Sequence, residues 1–270
     1  MGKIITVCNQ KGGTGKTTSA INLATYLALA GKKTLLIDLD PQANATSGTG
    51  INKHSVQKST YHILLEELEL KEILQTTAVN NLWLAPSNLD LTGAEVELVG
   101  VLGREYRLKR ALHKERESFD FMLIDSPPSL GLLTINALCA ADSVLIPVQC
   151  EYYALEGLTQ LNNTIRLVKD NLNPSLYIEG VLLTMADYRT NLTKEVIQEA
   201  RNYFKEKVFG TVIPRSIRLT EAPSFGKPIA LYDNDSIGGR KYEELSMEIL
   251  GMRKSNEPMP EGEVEWKEKP

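Results

Sequence analysis

The chain has 270 residues, of which 42% are hydrophobic and 24% charged, and its formal net charge is −4. These values are ordinary for a globular domain and exclude a collagen-like, coiled-coil or wholly disordered chain. No apolar stretch reaches the roughly 18 residues that a membrane span needs, and the N-terminus lacks the features of a secretion signal. Three cysteines without metal-ligand spacing are typical of buried thiols in a reducing compartment. We therefore expect a cytoplasmic protein.

Apolar runs rich in Val, Ile and Leu alternate with helical patterns along the chain. Several runs are apolar on both alternating faces, which is typical of parallel strands covered by helices. The alternation predicts a single α/β domain whose mostly parallel, twisted sheet of about seven or eight strands has helices on both faces. The predicted strands are 4–9, 34–38, 82–85, 119–125, 143–148, 177–184 and 208–213, and the predicted helices include 16–30, 131–140, 155–171 and 192–205.

The end of the chain differs in composition from the rest. Residues 253–270 contain three prolines and five glutamates, a composition that predicts a disordered acidic tail. We therefore expect one domain at 1–252. Within this domain the charge is uneven, because 64–100 carries seven acids against one lysine and 101–118 carries six bases against three acids. A local basic face is therefore compatible with the acidic total.

The most specific motif follows the first predicted strand and opens the first predicted helix. It reads KGGTGKTT and fits the G-x-x-x-x-G-K-[ST] phosphate-binding pattern in part, since Gln10 stands at the first glycine. Glycines let backbone N–H groups point at phosphate oxygens, beside the positive end of the helix dipole. Lys16 can reach the β- and γ-phosphates, and the Thr17 hydroxyl can ligate Mg²⁺. The predicted nucleotide contacts in this loop are Lys11, Gly12, Gly13, Thr14, Gly15, Lys16, Thr17 and Thr18.

Acidic residues end two of the predicted strands. Asp125 closes the run FMLID, as a metal-directed carboxylate of a triphosphate site does, and Asp38 and Asp40 follow the second strand. Ligands of open α/β sheets lie at the carboxyl ends of the strands, so these acids should lie beside the glycine loop. One acid after the second strand can orient an attacking water. For the other, an Asp-Pro turn with a helix cap is the alternative.

These motifs together resemble the ParA/Soj family of chromosome- or plasmid-partitioning ATPases. The resemblance rests on the lysine-rich loop with its extra Lys11 and on DLDPQANATSG, IDSPPSLGLLTINAL, VQCEYYALEGL, IEGVLLTM and IPRSIRLTEAPSFGKPI. It extends from Met1 to about Leu250 and is weaker over 51–100. Thr14 stands where the family usually has valine, and we expect its side chain to point away from the phosphates.

The resemblance implies an ATP-dependent homodimer that hydrolyses ATP with Mg²⁺. Lys11 would reach the partner's nucleotide, Lys16 would hold the β- and γ-phosphates, and Asp40 would position the water; these three are the implied catalytic residues. Thr17 would bind Mg²⁺ directly. The remaining implied contacts are Asp38 and Asp125 to the metal through water, and Met185, Pro214, Arg215 and Ser216 to the adenine.

The resemblance also implies sequence-independent DNA binding, with Arg189 and Arg218 at positions that have this role in the Soj branch. Independently, the predicted helix 192–205 carries a basic stripe at helical spacing. A solvated face without a ligand is the alternative for such a stripe. On this helix we expect Leu192, Val196, Ala200 and Tyr203 to be buried and Lys194, Gln198, Arg201 and Lys205 to be exposed, with Lys194, Arg201 and Lys205 contacting DNA.

The family's partner is a ParB/Spo0J-type centromere-binding protein, which would stimulate hydrolysis and act with the ATPase on the nucleoid. Control of the replication initiator is a second role that the sequence leaves open. The acidic stretch 64–100, with Glu66, Glu67 and Glu69, could attract a basic segment of the partner.

Two other classes share the lysine-rich loop. A membrane-positioning ATPase of the MinD kind ends in a basic amphipathic helix, whereas this chain ends in an acidic segment with prolines, so we expect no membrane partner. A redox carrier needs cysteines that bridge two subunits through an iron–sulfur cluster, and Cys139 has no companion of suitable context.

Overall fold

The structure, a computed structural model, describes residues 2–151 and 156–252. The predicted tail at 253–270 lies outside these residues, as does the first residue of the predicted helix 155–171. Part of the segment VQCEYYALEGL also lies outside them. The predicted division into one domain and a tail therefore stays a prediction.

One sheet runs through the described part of the chain. Its strands are β1 (Lys3–Val7), β2 (Thr34–Asp38), β3 (Gln75–Thr76), β4 (Leu82–Ala85), β5 (Phe121–Asp125), β6 (Ser143–Gln149), β7 (Tyr177–Ala186) and β8 (Val208–Pro214). They lie in the order β3-β4-β2-β5-β1-β6-β7-β8, all parallel except the β3–β4 pair. The predicted fold class, a mostly parallel α/β sheet, is confirmed. The two-residue β3 was not predicted because it is too short to show a period.

Helices cover both faces of this sheet. They are α1 (Lys16–Leu29), α2 (Asn44–Gly48), α3 (Thr60–Leu65), α4 (Leu91–Glu97), α5 (Arg107–Glu115), α6 (Leu132–Ala140), α7 (Glu156–Asn171), α8 (Asn191–Phe204), α9 (Ile217–Glu221), α10 (Ile229–Tyr232) and α11 (Ile237–Ile249). Buried side chains of α1 and α11 belong to the core on one face, and those of α3 to α6 and α8 to the core on the other. The sheet is thus buried on both sides, as its apolar strands require.

Helix α1 shows how local sequence sets these elements. It begins after the glycine loop, and its Leu23 and Leu27 are fully buried against the sheet. Burial of each such side chain contributes about 1.5–3 kcal/mol. Two residues after the helix lies a left-handed glycine, Gly31, whose N–H donates to the Ala28 carbonyl while the Lys32 N–H donates to that of Leu27. This is a Schellman ending, which satisfies carbonyls that the helix leaves open.

The register of the central strands brings the predicted acids together. β5 lies between β1 and β2, and Asp125 is level with Val7 on one side and with Asp38 on the other. Both acids therefore lie at the carboxyl edge of the sheet, where the loop from β1 to α1 also begins. This edge is the expected ligand site of an open α/β sheet.

Candidate nucleotide site and basic surface

The glycine loop between β1 and α1 exposes its backbone to a ligand. Gly13 and Gly15 have left-handed φ angles of 75° and 87°, which glycine adopts at little cost. No atom lies within 4 Å of the point where a side chain at Gly12 or Gly13 would begin. The half-buried Thr17 and Thr18 follow in the first turn of α1. Such an open loop at a helix N-terminus suits phosphate oxygens.

Contacts from neighbouring strands hold this loop in shape. Asn9 Nδ2 donates to the Pro147 carbonyl at 2.7 Å, and Asn9 Oδ1 accepts from the Lys11 N–H at 3.1 Å. The Thr184 hydroxyl donates to the Thr14 carbonyl at 2.9 Å. The Thr14 side chain is itself buried, and its hydroxyl lies 3.5 Å from the Lys11 carbonyl oxygen. The protein alone therefore maintains the curvature of the loop.

Lys16 lies under the loop with only 6% of its surface exposed. Its Nζ donates to the Lys11 carbonyl at 2.9 Å. Burial lowers the pKa of the Lys16 ammonium, whereas the nearby charges of Asp125 and Asp40 raise it. A desolvated ammonium that donates to a backbone carbonyl can bind phosphate oxygens with its remaining N–H groups.

The two strand-ending acids differ in their hydrogen bonding. Asp38 Oδ2 accepts from the N–H and the hydroxyl of Thr46, both at 2.7 Å, and Oδ1 accepts from the Asp40 N–H at 3.2 Å. Burial raises the pKa of Asp38 to about 6, although these hydrogen bonds oppose the rise. Asp38 therefore ties the segment after β2 to α2, and its carboxylate is already engaged by the protein.

Asp125 is equally buried, but neither of its carboxylate oxygens has a hydrogen-bond partner among the described residues. Burial and the neighbouring Asp38 raise the pKa of Asp125 well above its usual range, whereas the nearby Thr17 hydroxyl and Lys16 act to lower it. A buried carboxylate without partners is costly unless a cation lies nearby. Carboxylate and hydroxyl oxygens are ligands that Mg²⁺ prefers, usually with several retained waters. Asp125 and Thr17 thus fit a hydrated Mg²⁺ beside the loop.

Asp40 lies on the segment that leaves β2 and is 7% exposed. Its Oδ1 accepts from the Gln42 N–H at 2.9 Å, and its carbonyl accepts from the Ser87 hydroxyl at 2.8 Å. These two contacts fix the backbone and orient the carboxylate at the same edge of the sheet as Asp125. The structure therefore brings the predicted water-positioning residue to the predicted site.

Sequence reasoning missed the residues that brace these acids. Besides binding Asp38, the Thr46 hydroxyl accepts from the Ser87 N–H at 2.9 Å, and the Thr60 hydroxyl donates to the Asp38 carbonyl at 3.0 Å. Thr46 lies inside the segment DLDPQANATSG, which was a usable signal. Ser87 and Thr60 lie in no motif, and only the packing of the segments after β2 and β4 brings them here.

A cavity of about 380 Å³ opens on the helix side of the loop. Its walls include Thr18 of the loop and all four residues predicted to contact the adenine, Met185, Pro214, Arg215 and Ser216. Met185 has a left-handed φ of 52°, a conformation that persists in a non-glycine residue only where its surroundings hold it. The cavity is mostly apolar and adjoins the phosphate-type loop, an arrangement that suits a nucleobase.

The side chain of Lys11, unlike that of Lys16, is exposed. Its Nζ lies 3.8 Å from Glu151 Oε2, a loose ion pair that Arg215 shares at the same distance from Oε1. An exposed pair of this length contributes little. Lys11 is therefore free to change partner.

The buried side of helix α8 differs from the predicted one. Val196 and Ala200 are buried as expected, but Leu192 is 39% and Tyr203 is 65% exposed, so those two predictions are wrong. The buried side instead begins with Thr193, whose hydroxyl accepts from the Asp187 N–H at 3.2 Å. The partly buried Ile197 and Phe204 complete this side.

The basic residues of this region are exposed, as expected. Lys194, Gln198 and Arg201 lie on α8. Lys205 does not, since the helix ends at Phe204 and Lys205 has a left-handed φ of 51°; the predicted helix end was one residue too late. The stripe is therefore shorter than predicted.

Both predicted DNA-contacting arginines are paired with carboxylates of their own chain. Arg189 is 84% exposed and donates to both oxygens of Asp187 at 2.8 and 2.6 Å. Arg218 lies 3.2 Å from carboxylates of both Glu221 and Asp233. The hydrogen bonds that Arg189 donates to Asp187 and that Arg218 donates to Glu221 raise the pKa of each guanidinium, which stays fully charged.

The acidic stretch 64–100 has fewer free carboxylates for a basic partner segment than the sequence suggested. Glu69 lies within ion-pair distance of Lys71 and Lys114, and Glu67 pairs with Arg107 of α5. Two of the three glutamates considered for partner binding are therefore already paired with bases of the chain.

Comparison with known proteins agrees with this geometry. A family model described as an AAA domain matches residues 2–178. The chain is 58% identical over 249 residues to the sporulation initiation inhibitor protein Soj of Bacillus subtilis, covering 92% of this chain and 98% of that protein. It is 55% identical over 250 residues to the chromosome partitioning protein ParA of Myxococcus xanthus, covering 93% and 88%. The chain belongs to the ParA/Soj family of chromosome-partitioning ATPases. The predicted family and the predicted ATPase activity are thus confirmed.

A solved structure adds the ligands of a related site. Cobyrinic acid a,c-diamide synthase from Mycobacterium smegmatis, with a bound ATP analog and magnesium, superposes with a TM-score of 0.82 at 35% identity, covering 94% of this chain and 98% of that chain. The predicted cofactors, ATP and Mg²⁺, are confirmed at the level of these relatives. Within the described residues, none of the helices has the length and apolar character needed to cross a bilayer.

Proposed function

We propose that the protein is an ATP-timed DNA-segregation switch. In this proposal the ATP-bound chain forms a homodimer, binds DNA without sequence preference, and leaves DNA after hydrolysis. The observation that carries the proposal is the convergence of Lys16, Asp40 and the unpartnered Asp125 on the glycine loop, in a chain of the ParA/Soj family. An exposed basic surface begins in the chain segment immediately after β7, the strand whose last residues line the same site.

At the nucleotide site each residue has a distinct task. The loop N–H groups and Lys16 hold the phosphates, and the cavity beside Met185 and Arg215 holds the adenine. Thr17 and Asp125 would hold Mg²⁺, which when bound would supply positive charge against the charge that develops on the phosphates. Asp40 orients the attacking water and can accept its proton.

Dimerisation would couple association to catalysis through Lys11. This side chain is exposed and its ion pair is loose, so little energy is lost when it leaves Glu151. Placed against a partner's nucleotide, its charge acts like an arginine finger, which stabilises charge that develops in the transition state. Hydrolysis in this arrangement depends on the dimer.

DNA binding would use Arg189 and Arg218 with the exposed bases Lys194, Arg201 and Lys205. Contacts to phosphates carry no sequence information, so binding should be sequence-independent and weaken steeply with salt. A rigid dimer doubles the number of contacts, which raises affinity far beyond that of one protomer. ATP thereby controls DNA affinity through the dimer.

The family also suggests a ParB/Spo0J-type partner that stimulates hydrolysis, and nucleoid association as the result of DNA binding. Glu66 is the one of the three considered glutamates for which the described residues show no ion pair. A role in replication control belongs to the same proposal and rests on the family resemblance alone.

The proposal is tested by binding the full chain to an arbitrary long duplex with Mg²⁺ and ATP or ADP, with mass measured by light scattering. We expect a dimer that binds DNA with ATP and a monomer that does not with ADP. Lys11→Ala should keep ATP and stay monomeric, and exposed Lys33→Ala is the matched control. Equal DNA binding in the two nucleotide states would contradict the proposal.

A further inference from the structure

The fork of Arg189 already holds a carboxylate where the proposed function places a DNA phosphate. Arg189 Nε donates to Asp187 Oδ1 at 2.8 Å, and a terminal nitrogen donates to Oδ2 at 2.6 Å. The planar guanidinium binds carboxylate and phosphate with the same two-bond geometry. The same N–H groups cannot serve both partners fully at once.

The turn between β7 and α8 keeps Asp187 in this place. Oδ1 also accepts from the Arg189 backbone N–H at 3.2 Å, the Asp187 N–H donates to the Thr193 hydroxyl at 3.2 Å, and the Asp187 carbonyl accepts from the Thr190 hydroxyl at 3.0 Å. Hydrogen bonds from Arg189 lower the pKa of Asp187 to about 2. The carboxylate is therefore ionised at neutral pH and faces the arginine.

We propose that Asp187 opposes DNA binding by occupying the phosphate-binding fork of Arg189. This inference rests on the proposed function, from which the DNA contact of Arg189 comes. When DNA binds, the fork exchanges the Asp187 carboxylate for a phosphate, so Arg189 contributes only the difference between the two contacts. The Asp187 charge also repels the incoming phosphate. Each arginine therefore contributes little to DNA affinity by itself, and appreciable DNA affinity requires the several arginines of a dimer.

Stability gives no comparable reason for this pair. An ion pair this exposed contributes little to folding, and the turn is already held by Thr190 and Thr193. Arg218 is arranged in the same way, with Glu221 and Asp233 at its guanidinium. Own-chain carboxylates thus engage both arginines of the proposed DNA surface.

Asp187→Asn is the test variant, because its side-chain oxygen can still accept from the Arg189 backbone N–H while the charge is removed. Glu195→Gln is the matched control. Glu195 is exposed near the start of α8 and forms no ion pair with Arg189 within the described residues. It therefore reports the effect of total charge alone. Asp187→Ser is a second variant that keeps an acceptor for the turn.

The measurement is the apparent Kd of the ATP-bound full chain for an arbitrary duplex at two salt concentrations. Asp187→Asn and Asp187→Ser should bind about 3- to 10-fold more tightly than Glu195→Gln, and adding Arg189→Ala should remove the gain. Affinity equal to that of Glu195→Gln, or a gain that survives Arg189→Ala, overturns the inference alone. A wild-type chain that binds no DNA with ATP overturns the proposed function and this inference with it.

Discussion

The nucleotide edge and the basic surface adjoin at the carboxyl end of β7 but are built on different principles. At the nucleotide edge Lys16, Asp38 and Asp125 are buried, and backbone groups hold the side chains of Lys16 and Asp38. On the basic surface Arg189 and Arg218 are exposed and pair with carboxylates of their own chain. In the proposed function the first region binds one ligand in one geometry, whereas the second exchanges one ion pair for another. Substitutions at the first should therefore act by large factors and those at the second by small ones.

The largest effect is expected from Asp40→Ala. Removing the residue that orients the water should lower the ATP hydrolysis rate by about 10²- to 10⁴-fold while ATP binding and the dimer are retained. The variant should then remain on DNA. Steady-state phosphate release and light scattering on the same sample measure this. A variant that hydrolyses ATP at the normal rate would show that another group positions the water.

Lys16→Ala should weaken ATP binding about 10- to 100-fold, because charge-assisted hydrogen bonds of a buried ammonium contribute about 1.5–3 kcal/mol. Equilibrium titration with a fluorescent ATP analogue measures the change. Exposed Lys33→Ala is the control and should bind normally. A Lys16→Ala chain with unchanged affinity would place the phosphates elsewhere.

Asp125→Asn should stabilise the metal-free chain by about 1–3 kcal/mol at pH 8, since it removes a buried charge without partners. The pKa of Asp125 is raised in the folded state, so the wild type gains stability at low pH and loses it as pH rises from the ordinary value towards the raised one. The variant should lack this loss. Urea unfolding without Mg²⁺ between pH 4 and 8 measures it, and a destabilised variant at pH 8 would contradict the assignment.

The smallest effects are expected on the basic surface. Arg189→Ala should weaken DNA binding by up to about tenfold and lower the salt slope by about two per dimer. Lys205→Ala should change affinity by about twofold or less, because Lys205 lies beyond the end of α8 beside Glu206. Binding curves across salt concentrations distinguish the two. A larger loss for Lys205→Ala would place the DNA-binding surface at the end of α8.

The sequence predicted the buried nucleotide edge better than the exposed basic surface. The loop and Asp125 were predictable because phosphate chemistry demands those residue types at the ends of parallel strands. Thr46 and Ser87 were not, because their contacts depend on how distant segments pack. On α8 the apolar periodicity predicted that Leu192 and Tyr203 are buried. In the structure Thr193 is buried instead, and its hydroxyl forms hydrogen bonds with the Asp187 N–H and the Thr190 hydroxyl in the preceding turn. Hydrogen bonding there outweighs the apolar pattern.

The most direct test of the switch is to follow DNA release and phosphate release in one single-turnover reaction. The ATP-bound chain is loaded on a labelled duplex and rebinding is blocked with excess competitor. We expect that DNA leaves no faster than phosphate forms, and that Asp40→Ala slows both together. DNA that leaves at the same rate in wild type and Asp40→Ala, while hydrolysis is blocked in the variant, would contradict it.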